Sequence, residues 1–200
     1  MKDVKQRSRQ FALEPALFLG RLGLTPNALT VIGALLAASV GILIAQGWFM
    51  VSGVCLWLFS AADTLDGALA RATNRVSVFG AFLDSVCDRC AEAAIFLGLV
   101  WWYQSTSNTR GVVLAYLALV GSLMVSYARA RAEGVGVQIA EVGWFQRPER
   151  IIALGVGLLA AAFAPIVLEF VLALLAILTA VTVVQRVRHV ATAARAGTLE

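Results

Sequence analysis

The chain has 200 residues, of which 60% are hydrophobic and only 14% charged, against about a quarter charged in ordinary soluble proteins. Those figures exclude a soluble globular domain and predict an all-α integral membrane protein. The basic excess, 16 Lys and Arg against 12 Asp and Glu, is explained by loop charges that set membrane orientation, so no nucleic-acid partner is expected.

The first ten residues, MKDVKQRSRQ, are polar and basic. No short apolar region with a small-residue cleavage site follows, so no signal peptide is expected and the first span stays in the mature protein. Residues 9–22 (RQFALEPALFLGRL) are apolar with scattered charge and too short to span. They predict an N-terminal interfacial amphipathic helix lying at the headgroups.

Glycine, proline and charge then divide the chain into six runs of spanning length, roughly 27–46, 49–71, 78–104, 111–133, 148–165 and 167–187. Short connections at Gln46-Gly47 and Pro165 force antiparallel neighbours, and residues 1–200 read as a single membrane domain. With the N-terminus inside, Lys2, Lys5, Arg7, Arg9, Arg21, the 71–75 turn, the 129–150 segment, Arg186, Arg188 and Arg195 fall on one face. Only Arg110 falls on the other. The positive-inside rule therefore places both termini, and the charged end of the spans, on the cytoplasmic side of a multi-pass protein of the cell inner (plasma) membrane. Cys55, Cys87 and Cys90 lie in spans; the lone Cys87/Cys90 C-x-x-C has no second pair or nearby His, which favours small packed residues over a metal site. His189, the single histidine, sits in the basic tail.

The stretch 63–88, DTLDGALARATNRVSVFGAFLDSVCD, breaks the apolar pattern. An aspartate at mid-span costs about 2.5–3.5 kcal/mol, so four facing lipid unpaired would cost roughly 10–14 kcal/mol. Asp63 and Asp66 are three apart and Asp84 and Asp88 four apart, so each pair shares a face of its own helix. A turn at 72–77 folds the second helix back, bringing the four carboxylates to one depth. Oxygen donors without His or Cys suit a hard cation such as magnesium together with a phosphorylated ligand, and two such ions suit a phosphoryl displacement. Gly67 and Gly80 leave room for a ligand or facing helix, and Arg71 reaches a phosphate. The competing explanation is that Arg71, Arg75 and Arg89 simply pair with the acids.

The spacing D-x2-D-G-x2-A-R-x8-G-x3-D-x3-D, filled by Asp63, Asp66, Gly67, Ala70, Arg71, Gly80, Asp84 and Asp88, resembles the signature of the CDP-alcohol phosphotransferases. That resemblance implies transfer of a phosphate-linked group from a CDP-linked donor to an alcohol, with release of CMP. It also implies six transmembrane helices, a homodimer and a magnesium cofactor, two ions, with manganese as a possible substitute. By the family's pattern Asp63, Asp66, Asp84 and Asp88 are the metal ligands, and Asp88 is also the catalytic base. Gly67, Arg71 and Ser77 contact the CDP-lipid, as do Asn27, Ala28, Leu29 and Thr30 within TPNALT at the start of the first span.

SYARARAEG (126–134) and RPER (147–150), following GAFLDSVCDR (80–89), resemble the bacterial phosphatidylinositol phosphate synthases. That likeness implies CDP-diacylglycerol as donor and 1D-myo-inositol 3-phosphate as acceptor, in contact with membrane lipid. A phosphorylated acceptor needs cations, and Arg129, Arg147, Arg150 and Arg186 come from three segments of one face. Their alternative use is topology or anionic headgroups. The position of Arg129 is commonly Lys in the synthases compared, and the loop 134–146 has no match in detail. The alternatives are a phosphatidylglycerophosphate synthase using glycerol 3-phosphate, an archaeal-type ether-lipid inositol phosphate synthase, and, in another class, a cation transporter. A transporter would distribute its acids through the membrane, whereas here they cluster on the basic face.

Overall fold

Four of the helices begin where a side chain satisfies free backbone N–H groups of the first turn. Thr25 caps one start, accepting from Ala28 N at 3.2 Å with Pro26 next in line; Ser77 accepts from Gly80 N at 3.0 Å, and Asn108 from Gly111 N at 3.0 Å. Gln146 and Glu149 form a capping box ahead of another. A computed structural model describes residues 14–139 and 142–195. It contains α1 (residues 14–21), α2 (Pro26–Ala45), α3 (Phe49–Ala62), α4 (Thr64–Ala72), α5 (Val78–Ser105), α6 (Thr109–Glu133), α7 (Arg147–Ala161) and α8 (Ile166–Arg195), with no strand among the described residues.

The long helices close a ring. α2 packs on α5, α5 on α6, α6 on α8, α8 on α7, α7 on α3, and α3 back on α2. Val40, Ile44, Leu56, Leu99, Leu158, Leu168 and Leu172 fill its interior. The outer surface is as apolar as the inner: Leu35, Ile42, Trp101, Phe163 and Phe170 are all more than 60% exposed. That pattern suits a bundle whose solvent is hydrocarbon. Buried hydroxyls turn back on their own helices, Ser52 to Trp48 O at 2.8 Å, Thr179 to Leu175 O at 2.7 Å and Thr182 to Leu178 O at 2.9 Å.

Three boundaries differ from the sequence expectation. The run 49–71 is interrupted at Asp63, which ends α3 and precedes α4. The final helix continues past 187 to Arg195, since no Gly or Pro interrupts it there and Val190 and Ala193 pack against the incoming loop. α7 ends at Ala161 rather than 165. By length and composition four stretches can cross a membrane, Pro26–Ala45, Phe49–Ala72, Thr109–Glu133 and Ile166–Arg195. The other two of the six runs fall short for different reasons: the 28-residue α5 carries Asp84, Asp88, Arg89 and Glu92 within its first 15 residues, and α7 has only 15 residues. Of the segment 9–22, residues 9–13 lie outside the described residues; 14–21 is helical and rests on α4, with Ala16 in a buried cluster with Ala68 and Leu69.

α2 and α5 approach backbone to backbone. A Cβ at Gly41 would collide with the carbonyl of Ala94, and one at Gly98 with the backbone of Gly41. Both obstacles are backbone, which cannot rotate aside. Gly98→Ala is therefore expected to destabilise the bundle by about 1–3 kcal/mol, read as a lower unfolding midpoint of the detergent-solubilised protein. Gly33→Ala, inside α2 with open space around its missing Cβ, should not lower the midpoint and is expected to raise it slightly.

Candidate active site

The junction of α3 and α4 and the first half of α5 bring acids to one end of the ring. Carboxylate oxygens of Asp63, Asp84 and Asp88 lie within 4.8 Å of one another. Asp84 and Asp88 are one helical turn apart on α5, and the interruption at Asp63 sets that residue beside them. Asp66, the fourth acid of the sequence pattern, lies outside this group of three. Its carboxylate accepts from Thr30 Oγ1 of α2 and from the backbone N–H of Gly67, which aims it at the other side of the site.

Two cavities flank these acids. One, of about 250 Å³, is lined by Asn27 and Thr30 of α2, Asp66, Gly67, Arg71 and Arg75 near α4, and Ser77, Gly80 and Asp84. Glycine is used sterically here, for a Cβ at Gly67 would stand 3.2 Å from Arg71 Nη1 and one at Gly80 3.3 Å from Asn27 Oδ1. Ala28 and Leu29 are not on this wall. Successive helix residues are about 100° apart, so four in a row cannot share one face; the Ala28 N–H serves the Thr25 cap and Leu29 packs toward Ala16, Ala68 and Leu69.

The second cavity, of about 780 Å³, is lined by Asp84, Ser85, Asp88, Ser126, Tyr127 and Glu133, and by Arg89, Arg129, Arg147, Arg150 and Arg186. Asp84 borders both cavities, while Asp88 borders the larger and not the smaller. The four arginines expected at an acceptor phosphate are thus together, and each is held by a protein group. Arg147 spans the acids, with Nη1 at 3.1 Å from Asp63 Oδ2 and Nη2 on Asp88 Oδ1. Arg150, 4% exposed, pairs with Glu92 at 3.2 Å, and Arg129 pairs with Glu133 at 2.9 Å. Arg186 donates from Nε to Val142 O at 2.9 Å and from Nη1 to Val125 O. It thereby ties the loop before α7 to α6 and α8; Phe145 N adds a bond to Thr182 Oγ1 at 3.2 Å.

The pairing imagined for Arg71, Arg75 and Arg89 holds for Arg89 alone in this set, whose Nη2 lies 3.4 Å from Asp88 Oδ2. Two polar neighbours of the site escaped the sequence reading, Ser126, which accepts from Arg89 Nη1, and Glu92. Glu92 carries a legible signal: it lies four residues after Asp88 on the same face of an otherwise apolar helix. The three convergent carboxylates fit a hard divalent cation, having oxygen donors only. Two guanidinium groups already converge on Asp88, so the charge the cluster demands is positive.

Residues 23–192 match the family model described as CDP-alcohol phosphatidyltransferase. The phosphatidylinositol phosphate synthase of Mycobacteroides abscessus is 37% identical over 176 residues, 86% of this chain and 80% of the relative. The archaetidylinositol phosphate synthase of Pyrococcus horikoshii is 39% identical over 172 residues, 84% of this chain and 85% of the relative. Among solved structures, Mycobacterium tuberculosis phosphatidylinositol phosphate synthase with CDP-DAG bound superposes with a TM-score of 0.85 at 34% identity, covering 90% of this chain and 94% of that one. The same enzyme in complex with manganese and citrate gives a TM-score of 0.85 at 35% identity, covering 90% and 89%.

The carboxylate cluster predicts saturable binding of a divalent cation. Titration of manganese into the solubilised protein, followed by the loss of its free-ion magnetic resonance signal, should show binding that Asp84→Asn weakens by at least about tenfold.

Proposed function

Because the chain belongs to the CDP-alcohol phosphatidyltransferase family, we propose that it transfers the phosphatidyl group of CDP-diacylglycerol to 1D-myo-inositol 3-phosphate, giving phosphatidylinositol phosphate and CMP. The observation that carries this reading is Asp84 as the common wall of two unlike cavities, one bordered by Asn27, Thr30, Gly67, Arg71 and Ser77, the other by arginines. A donor and an anionic acceptor would meet across that wall.

Asn27, Thr30, Gly67, Arg71 and Ser77 would bind the cytidine diphosphate part of the donor, with the acyl chains leaving between helices toward lipid. Asp63, Asp66, Asp84 and Asp88 would hold divalent cations, magnesium or manganese, which neutralise the diphosphate and leave its phosphorus open to attack. Asp88 faces the larger cavity and takes the proton of the acceptor hydroxyl. That oxygen forms a bond to the lipid-proximal phosphorus as the phosphorus–oxygen bond to CMP breaks, and CMP leaves with the electron pair. Arg129, Arg147, Arg150 and Arg186 would hold the acceptor phosphate, fixing the hydroxyl in line. No phosphoryl group passes through the protein.

In the same reading all six long stretches cross the membrane, with the charged half of α5 turned into the ring and α1 lying at the interface. The site faces the cytoplasm, where its basic residues belong, and the molecule works as a homodimer. One observation favours a variant of the donor: the Pyrococcus horikoshii relative is named for an archaetidyl product and is as similar as the bacterial synthase, so an ether-linked CDP-lipid is a second candidate donor.

Membranes carrying the protein, given magnesium, CDP-diacylglycerol and one acceptor at a time, should release CMP with inositol 3-phosphate. Release with glycerol 3-phosphate and none with inositol 3-phosphate would overturn the acceptor; release only with an ether-linked CDP-lipid would favour the second donor. Asp88→Asn should slow CMP release by about 10²–10⁴-fold, the scale for losing a general base, with the protein still solubilised and folded. Full activity in that variant would remove Asp88 from the mechanism.

A further inference from the structure

Beneath the floor of the larger cavity lies a carboxylate with no part in the chemistry above. Glu92 does not line that cavity; it lines a small one of about 40 Å³ below it, among Leu56, Ile95, Phe96 and Leu154. A charge in such surroundings costs free energy unless it is paired and hydrogen-bonded. Here it is. Glu92 Oε1 accepts from Ser122 Oγ at 2.7 Å and from Arg150 Nη2 and Nε at 3.2 and 3.4 Å, while Oε2 faces Arg89 Nε at 3.8 Å.

Both arginines held from below also line the cavity above. Arg150 is 4% exposed, so its planar fork is oriented by the protein rather than by water. Arg89 is hydrogen-bonded to Ser126 Oγ and Asp88 Oδ2, and its buried Nε, which has no hydrogen-bond partner, faces Glu92 Oε2 as an ion pair at 3.8 Å. Arg147 sits one turn before Arg150 on α7 and adds a third like charge. Guanidinium groups crowded in this way repel unless a counter-charge fixes them, and bidentate recognition of phosphate depends on the fork's angle as well as its charge.

We infer that Glu92 is a positioning residue for the phosphorylated acceptor, acting through Arg150 and Arg89 from outside the cavity they line. The inference rests on the reading that the acceptor phosphate enters the larger cavity. Removing only the charge, with shape and the Ser122 bond kept, should loosen both forks. The acceptor site would weaken while the CDP-lipid cavity, on the other side of Asp84, would not.

The test is steady-state CMP release by the full chain with each substrate varied in turn. Glu92→Gln should raise the acceptor KM by about tenfold or more, the scale of a charge-assisted hydrogen bond, and leave the donor KM within about twofold. Glu92→Asp, which keeps the charge, should recover part of the loss. An unchanged acceptor KM in Glu92→Gln, or an equal rise in both KM values that Glu92→Asp does not relieve, overturns the inference. Should Glu92→Gln not fold, Ser122→Ala takes its place, since Ser122 touches Glu92 and does not line the cavity. It should raise the acceptor KM about threefold and spare the donor KM, and no change there overturns the inference equally. If wild-type protein turns over a phosphorylated acceptor other than inositol phosphate, the acceptor reading fails while the same KM split, measured with that acceptor, still decides the role of Glu92.

Discussion

Negative charge gathered in an apolar ring is the constraint to which the rest of this structure responds. Asp63, Asp84 and Asp88 present oxygens within 4.8 Å of one another, and like charges that close repel strongly where water is scarce. A bundle held by dispersion and helix packing has little surplus stability to offset such repulsion. The response is local and electrostatic: Arg147 spans two of the acids and Arg89 touches one. Cations of any kind that favour this place, whether guanidinium or metal, relieve the same strain. A purely structural protein would do better to delete the acids, since an ion pair removed from water seldom repays its desolvation.

α5 is the element on which both cavities depend. On one side it meets α2 through Gly41 and Gly98, where the two backbones touch, and this contact sets the distance from Asn27 and Thr30 to the α5 start. On its other side it meets α6, which supplies Ser122, Ser126 and Arg129. Asp84 then stands between the two sides because it is on the helix that separates them. The interruption at Asp63 has a related consequence. Splitting the second long stretch lets Asp63 join the α5 acids while Asp66 turns to Thr30, so two acids three residues apart serve different neighbours.

What could be read from the sequence followed from helical geometry and membrane cost. Residues three and four apart share a face, so the pairing of Asp84 with Asp88 and the presence of Gly67, Gly80 and Arg71 near them were legible, while Ser77 came only from the family resemblance. Aspartates in an apolar chain announce a site because lipid would not tolerate them. What stayed hidden was tertiary. No spacing rule tells that Arg186 would donate to the carbonyls of Val125 and Val142, or that Arg150 would find Glu92 across 58 residues. The family resemblance names Ala28 and Leu29 together with Asn27 and Thr30, and helical rotation carries those two away from the wall that Asn27 and Thr30 line. Residues 142–146 of the loop had no pattern to read because their contacts run to α8, through Thr182, Gln185 and Arg186.

The larger cavity shows why so many cations are compatible with one selective site. Five arginines line it, and a free arginine side chain loses about 2 kcal/mol of rotamer entropy when it is fixed. Ligand binding would have to supply that cost for each arginine it ordered. In this chain the cost is met during folding, because Arg147, Arg150, Arg129 and Arg186 are each already bonded to acids or carbonyls. A preorganised donor array gives up less freedom on binding, and its angles are set by the helices that carry the acceptors. Arginine rather than lysine at position 129 fits the same logic, for its Nε is held by Glu133 one turn along at 2.9 Å while the guanidinium fork retains further N–H donors. Discrimination between one phosphorylated alcohol and another would then come from where those forks are fixed, and hence from the residues that fix them, more than from the number of positive charges at the wall.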